Sequence, residues 1–304
     1  MDDSVSTKSS RKGYLYVMLA AVLWAVSGSS AKFLFNQGVT AYELVQLRVT
    51  IASVLVFLWL VIYKRGLLMI QKKDFLYFFI LGGLCLASVQ FTYLFTISKI
   101  NVAAAILMQY LSPILIALYS VIFAREKISA SVIAALIGAT SGCYLVVGAY
   151  NMNMLSLNLA GIIGGLLSAA TFAWYSIQGE YGMKRYSPFT VLFFSLFFAA
   201  ISWNIITPPL SAFFKPYSPV EWGWIAYISI LGTTIPFGLY LKGISIIHAT
   251  KASITATLEP ITAGILSYLF LGERLEALQI LGGPLIISSI ILLQLRDNPQ
   301  NKPS

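Results

Sequence analysis

The chain has 304 residues, 58% of them hydrophobic and only 10% charged, with a formal net charge of +9. Mean hydropathy is +0.82, whereas an ordinary soluble domain is about 25% charged. A water-soluble fold of this length could not hide so much apolar surface, because folding leaves much of a chain exposed. Lipid is the expected solvent, and the positive charge is expected in cytoplasmic loops rather than against nucleic acid.

A spanning helix needs about 20 mostly apolar residues, and ten such segments follow one another. A polar tail, 1–12, leads into a span over 13–35 with Trp24, Ser27 and Lys32. The "RKG" before it imitates a signal peptide, but the same pattern recurs inside the chain, so cleavage is not expected. The second span, 42–63, carries Glu43 and Arg48. The third, 74–97, carries Gln90 and Tyr93, three apart and on one helix face. The fourth, 101–123, carries Gln109, Tyr110 and Pro113, and a fifth covers 130–149. A linker, 150–158, has no Lys or Arg. The sixth span, 159–179, holds Trp174 and Gln178. The seventh, 189–207, holds Trp203 and Asn204, and the eighth, 221–245, holds Tyr240. The ninth, 250–271, holds Glu259 and Pro260; the tenth is 277–295, before a polar tail, 296–304.

Lys and Arg fall on alternate ends of these spans. One set of ends has Lys8, Arg11, Lys12, Lys64, Arg65, Lys72, Lys73, Arg125, Lys127, Lys184, Arg185, Arg296 and Lys302; the other has Lys99, Lys215 and Arg274, with Lys32 near an end. Both termini are expected to be cytoplasmic, in a multi-pass protein of the inner (plasma) membrane.

The chain also repeats itself. Shifted by 147 residues, "YLFTISKINVAAAILMQYLSPILIALYSVIFAREKISA" from Tyr93 lies over "YLKGISIIHATKASITATLEPITAGILSYLFLGERLEA" from Tyr240 without a gap. Pro113 falls on Pro260, Glu126 on Glu273 and Ser112 on Glu259. A shift of 148 puts "GYLYVMLAAVLWAVS" over "GIIGGLLSAATFAWY". The expected fold is therefore all-α: two five-helix repeats, 13–149 and 159–295. Five is odd, so the second copy enters the membrane from the opposite side, as in inverted-repeat secondary transporters.

These residues resemble the drug/metabolite transporter superfamily, in particular its EamA-type ten-helix members. The matching stretches are "LAAVLWAVSG", "LVQLRVTIA" and the two proline segments running to "FAREKIS" and "FLGERLEALQILGG". The first repeat departs from the second in ending "AREK" rather than "GE". The resemblance implies that helices one to four and six to nine enclose a central cavity, with helices five and ten outside to brace or to form a homodimer. It also implies transport of small molecules, often export of amino acids or related metabolites.

Several polar residues are candidates for substrate binding or coupling. Glu259 lies eight residues past Lys251, about 12 Å deeper along a helix. A charge at mid-membrane costs about 2.5–3.5 kcal/mol, so Glu259 is either a proton carrier or substrate ligand, or a buried hydrogen-bonding group beside a helix break. Arg48 is either a clamp for a substrate carboxylate or a structural partner of Glu43 or another helix. Trp24, Gln90, Tyr93, Gln109, Trp174, Gln178 and Tyr240 would line a cavity for a modest organic solute, or serve as belts and helix glue. Pro113 and Pro260 each remove a backbone donor, giving a hinge or a fixed kink; Ser112 or Glu259 could serve the freed carbonyl. Lys32 and Glu43 could pair at the outer rim. Trp203 and Asn204 read as belt residues, Lys242 and Lys251 as snorkelling cations, "GIIGG" as a close-packing face, and His248 as a turn residue equivalent to Asn101. Glu126 and Glu273 read as turn elements, and Cys85 and Cys143 as unpaired structural thiols.

No His, Cys and carboxylate cluster suggests a metal, and no GxxxxGK[ST] loop is present. No cofactor, nucleic acid or catalytic role is expected; the partners are a small-molecule substrate and membrane lipid. The expected function is secondary active transport by alternating access, outward, driven by protons or by exchange. A flippase or exporter of lipid or drug-like molecules, and a non-transporting scaffold, are the alternatives.

Overall fold

The computed structural model describes residues 3–152, 158–266, 268–269 and 275–296. The centre of the expected linker, most of the C-terminal tail, and Glu273 and Arg274 lie outside the described residues. Among those described there is no strand, and the fold is all-helical.

Among the described residues, nine long helical runs follow in chain order. They are α1 (Asp3–Asn36), α2 (Ala41–Tyr63), α3 (Lys72–Lys99), α4 (Val102–Ile122), α5 (Ala130–Val146), α6 (Leu159–Met183), α7 (Pro188–Ile206), α8 (Pro219–Leu266) and α9 (Ala277–Arg296). Among the described residues all but α5 are long and apolar enough to cross a membrane. At 17 residues α5 is shorter, and it ends before the left-handed Gly148, whose φ of +68° suits a residue without Cβ.

Local chemistry sets the ends. α2 opens on a capping box: the Thr40 hydroxyl accepts from the Glu43 amide, and the Glu43 carboxylate accepts from the Thr40 amide. Ser129, Asn158 and Ser187 cap α5, α6 and α7 through their side chains alone, accepting from the amides of Val132, Gly161 and Phe189. α8 contains 48 residues, about 72 Å if straight, against a hydrocarbon layer of about 30 Å. It is broken at His248, whose φ of 67° and ψ of 160° are not helical. The two arms, 219–247 and 249–266, correspond to the eighth and ninth expected spans.

Proline breaks recur in both repeats. α4 turns at Tyr110–Leu111 just before the segment carrying Pro113, and α8 turns at Thr257 just before Leu258–Leu266, which carries Pro260. π-helical stretches recur as well, at Ile80–Leu86 in α3 and Ile230–Thr234 in α8. Each holds a glycine against a neighbouring helix. A Cβ at Gly82 would meet the Ser195 carbonyl at 2.5 Å, and one at Gly232 would meet Ser27 Oγ at 2.5 Å.

The main helix pairings are α1 with the first arm of α8, α3 with α6, α2 with α7, and α5 with α9. The "GIIGG" face of α6 does pack closely: a Cβ on Gly161 would lie 2.5 Å from Ile100, and one on Gly164 2.8 Å from Thr96 Oγ1. Cys85 and Cys143 are both buried, unpaired thiols.

Candidate functional site

A small cavity sits at the centre of the bundle, lined by Trp24, Ser27, Arg48, Gln90, Tyr93, Gln109, Phe172, Phe237 and Glu259 among others. Its volume is about 30 Å³, room for a few waters at most and too little for an organic solute. α1, α2, α3, α4, α6 and both arms of α8 each contribute a residue. A larger groove of about 510 Å³ between α2 and α7 is lined almost wholly by apolar groups such as Phe57, Phe193 and Phe197 and holds no charged residue.

Glu259 is 6% exposed. Its Oε2 accepts from the Tyr110 hydroxyl at 2.7 Å, and its Oε1 lies 3.4 Å from the Tyr93 hydroxyl. The Tyr110 hydroxyl also lies 2.7 Å from the carbonyl of Ala256. That carbonyl stands four residues before Pro260, which has no N–H to give it. The group within reach of the orphan made by the proline is therefore Tyr110, from the other repeat, whose one proton is shared between Ala256 and Glu259, and not Ser112. Ser112 Oγ is itself buried without a partner.

Arg48 is 3% exposed. Its Nε donates to Thr233 Oγ1 at 2.9 Å. Thr233 lies in the π-helical stretch of α8 and donates its own proton to the Ile228 carbonyl at 2.8 Å. The expected Arg48–Glu43 pair does not form. Glu43 instead pairs with Lys215 at the surface, and Arg48 makes no ion pair among the described residues. Two further donors in the cavity wall are unsatisfied: Trp24 Nε1 and Gln90 Nε2 are buried with no hydrogen-bond partner.

An aromatic cage closes one side. Trp24 makes edge contacts with Phe172, Phe237 and Tyr240, at ring centroid distances of 6.0, 5.2 and 5.4 Å. Tyr240 stands behind the wall rather than in it, fully buried and 2.9 Å from Ser176 Oγ.

The structure thus gathers Trp24, Arg48, Gln90, Tyr93, Gln109 and Glu259 around one space. Three expected lining residues do not join them: besides Tyr240 behind the wall, Trp174 and Gln178 lie elsewhere. Trp174 is 52% exposed on the outside of α6. Gln178 is half-buried, and its carbonyl accepts from Tyr77. Tyr175 and Phe172 on α6 face inward instead, because a turn of 3.6 residues moves Trp174 away from their face. Trp203 is not a belt residue: it is 4% exposed and donates to the Ala87 carbonyl at 3.1 Å. Asn204 holds α2 to α7, accepting from Gln46 Nε2 at 3.0 Å and donating to Thr50 Oγ1 at 3.1 Å.

Two side-chain clamps were missed in the sequence. Lys32 does not meet Glu43; its Nζ donates to the carbonyls of Ile97 and Ile100 at the end of α3. The residue 148 positions later is Glu180. Its carboxylate accepts from the Ala249 amide at 2.7 Å and lies 2.6 Å from His248 Nδ1. Asn101 caps the equivalent helix with its own side chain, 2.7 Å from the Ala104 amide, so at His248 the cap is supplied by Glu180. Lys242 lies 4.5 Å from the centre of the Tyr16 ring, an amphipathic cation resting on an aromatic face.

The profile of the EamA-like transporter family matches residues 11–148 and again 159–295. The chain belongs to the EamA-like transporter family. Both EamA matches coincide with the two copies of the repeat. An uncharacterized inner membrane transporter of Salmonella typhimurium, YicL, is 32% identical to this EamA protein over 293 residues, spanning 94% of this chain and 96% of its own. The pseudopaline exporter CntI of Pseudomonas aeruginosa is 25% identical over 292 residues, spanning 93% and 96%. A protein known from a crystal structure shares the fold with a TM-score of 0.73 at 18% identity, over 95% of this chain and 99% of that one. The protein is thus a multi-pass membrane member of a transporter family.

Proposed function

We propose that the protein is a secondary active transporter that exports amino acids or related small metabolites across the inner membrane by alternating access. Its ten crossings form two inverted five-helix repeats with both termini cytoplasmic. The proposed count of ten adds the shorter α5 and divides α8 at His248.

The observation that carries this reading is the exchange symmetry of the packing. Corresponding helices start 147 residues apart: α2 and α7, α3 and α8, α5 and α9. Exchanging the repeats turns the α1–α8 pair into the α6–α3 pair and leaves α2–α7 and α5–α9 unchanged. This is the pattern expected from a two-fold axis through the bundle. The cavity lies among the paired helices and has room for a few waters at most. A solute-sized site must therefore open from it, and a two-fold arrangement offers one opening on each side.

Glu259 is the coupling group of this reading. The Tyr110 hydroxyl has one proton and two acceptors at 2.7 Å, the Ala256 carbonyl and Glu259 Oε2. With Glu259 ionised, the proton is drawn to the carboxylate. With Glu259 protonated, the carboxyl can donate to Tyr110, which turns its own proton to Ala256. Proton binding is thereby tied to the break at Pro260. The groups facing Glu259 are Tyr93 on α3, Tyr110 on α4 and Cys143 on α5, with Arg48 on α2 lining the same cavity.

The test uses purified protein in liposomes loaded with a mixed pool of amino acids and metabolites. A pH gradient is imposed, and the solutes that leave are identified by mass spectrometry. Saturable, gradient-dependent efflux of one class is expected. Absence of efflux of every pool member from liposomes holding folded protein contradicts the reading.

A further inference from the structure

The walls of the central cavity are unequal in their hydrogen-bond chemistry. Glu259, the one carboxyl group there, is provided with two tyrosine hydroxyls. The donors are not provided for. Trp24 Nε1 and Gln90 Nε2 are buried with no partner, in residues 9% and 1% exposed. Arg48 spends only its Nε, on Thr233. Its two terminal nitrogens make no hydrogen bond, and it forms no ion pair, among the described residues. A buried guanidinium without an anion is costly, as is each buried N–H left unpaired. Three such groups lining one small space describe a site that lacks its acceptor.

We propose that Arg48, Gln90 and Trp24 form the pole that receives the carboxylate of the transported solute. The geometry of Arg48 fits this use. Its Nε edge is fixed by Thr233, which is itself oriented by its bond to the Ile228 carbonyl in the π-helical stretch of α8. The remaining pair of terminal nitrogens is a planar fork that matches the two oxygens of a carboxylate. The rings of Trp24, Phe172 and Phe237 complete the wall. They favour an organic carboxylate with an apolar body over a small inorganic anion. π-helical distortions often sit at functional sites, and here the distortion places Thr233 against Arg48. The donor set comes from α1, α2 and α3 of the first repeat, whereas the carboxyl of Glu259 comes from the second. A solute bearing both a carboxylate and an ammonium group would bridge the two repeats, its ammonium competing with the proton for Glu259.

This inference rests on the transporter reading, and the experiment separates the two. Liposomes holding the full chain are loaded with a pool of amino acids, or with the corresponding α-carboxamides, or with uncharged metabolites of similar size. Efflux is followed by mass spectrometry. Acids are expected to leave at least about tenfold faster than their amides, the factor for one or two charge-assisted hydrogen bonds lost. Trp24→Phe removes the N–H and keeps a ring; Gln90→Leu removes the amide and keeps the volume. Each is expected to narrow the acid-over-amide ratio severalfold in protein that elutes as a folded species, and Arg48→Gln to abolish it. Equal efflux of acids and amides overturns the proposal. So does an unchanged ratio in both Trp24→Phe and Gln90→Leu, or selective efflux of an uncharged solute. Failure of all three pools to leave overturns the transporter reading itself, and the proposal with it.

Discussion

The hydroxyl of Tyr110 in the first repeat lies 2.7 Å from the carbonyl of Ala256 in the second, the carbonyl that Pro260 leaves without a helical donor. Removing the hydroxyl strands a buried acceptor, at a cost of about 1–3 kcal/mol. Tyr110→Phe is therefore expected to lower the melting temperature of the detergent-solubilised protein. In a Pro260→Ala background the amide of residue 260 can serve Ala256, and the same Tyr110→Phe change should cost less. A double-mutant cycle reads the difference. If the two changes are additive, the hydroxyl does not serve the break.

Glu259→Gln keeps the shape of the side chain and still accepts from Tyr110, but it cannot carry a proton. Efflux driven by a pH gradient should be lost, while exchange of solute for solute across the membrane continues. Rates of both are measured on the same liposomes. Wild-type pH dependence in this variant would remove Glu259 from the coupling role.

Much of the architecture is written in apolar runs and in the repeat. The apolar helical runs needed only length and hydropathy, and the register of the two copies needed only Pro113 on Pro260 and Tyr93 on Tyr240. Which way an aromatic faces is not written there. Trp174 and Tyr175 are adjacent in one helix, yet one is half exposed and the other fully buried. Partners across the repeats are equally invisible. Pro260 announces an orphan carbonyl at Ala256, but the group that serves it lies 146 residues earlier in the chain. The sequence pattern placed Lys32 beside Glu43 by proximity, whereas the carbonyls at the end of α3 outcompete a carboxylate already held by Thr40 and Lys215.

The α5–α9 contact depends on two facing glycines. A Cβ at Gly282 would lie 2.6 Å from the Gly142 carbonyl, and a Cβ at Gly142 would lie 2.8 Å from the Gly282 carbonyl. Backbone cannot yield as a side chain can, so Gly282→Ala should force the helices apart at a cost of about 1–3 kcal/mol. The adjacent Gly283 has nothing within 4 Å of its Cβ position, and Gly283→Ala is expected to be neutral or stabilising. Thermal unfolding of the two variants in one detergent decides this. Equal melting temperatures would show that the helices part without cost.

Lys32 and Glu180 occupy the same place in the two repeats and hold the same kind of turn, from opposite chemical directions. Lys32 gives protons to the carbonyls that end α3, and Glu180 takes one from the amide that begins the second arm of α8. In the proposed inverted arrangement these turns would lie on opposite sides of the membrane. Loosening one clamp should then ease opening on its own side alone. Each loss should cost about 1 kcal/mol, the usual worth of a cap. The reporter is a cysteine at Ser120, whose hydroxyl lies 3.4 Å from Thr250 beside the Glu180 clamp. Labelling of Ser120→Cys by an impermeant thiol reagent should quicken in Glu180→Ala and not in Lys32→Met. Equal acceleration by both would mean that the clamps act on general stability, and the two sides of the molecule would then not be gated separately by these residues.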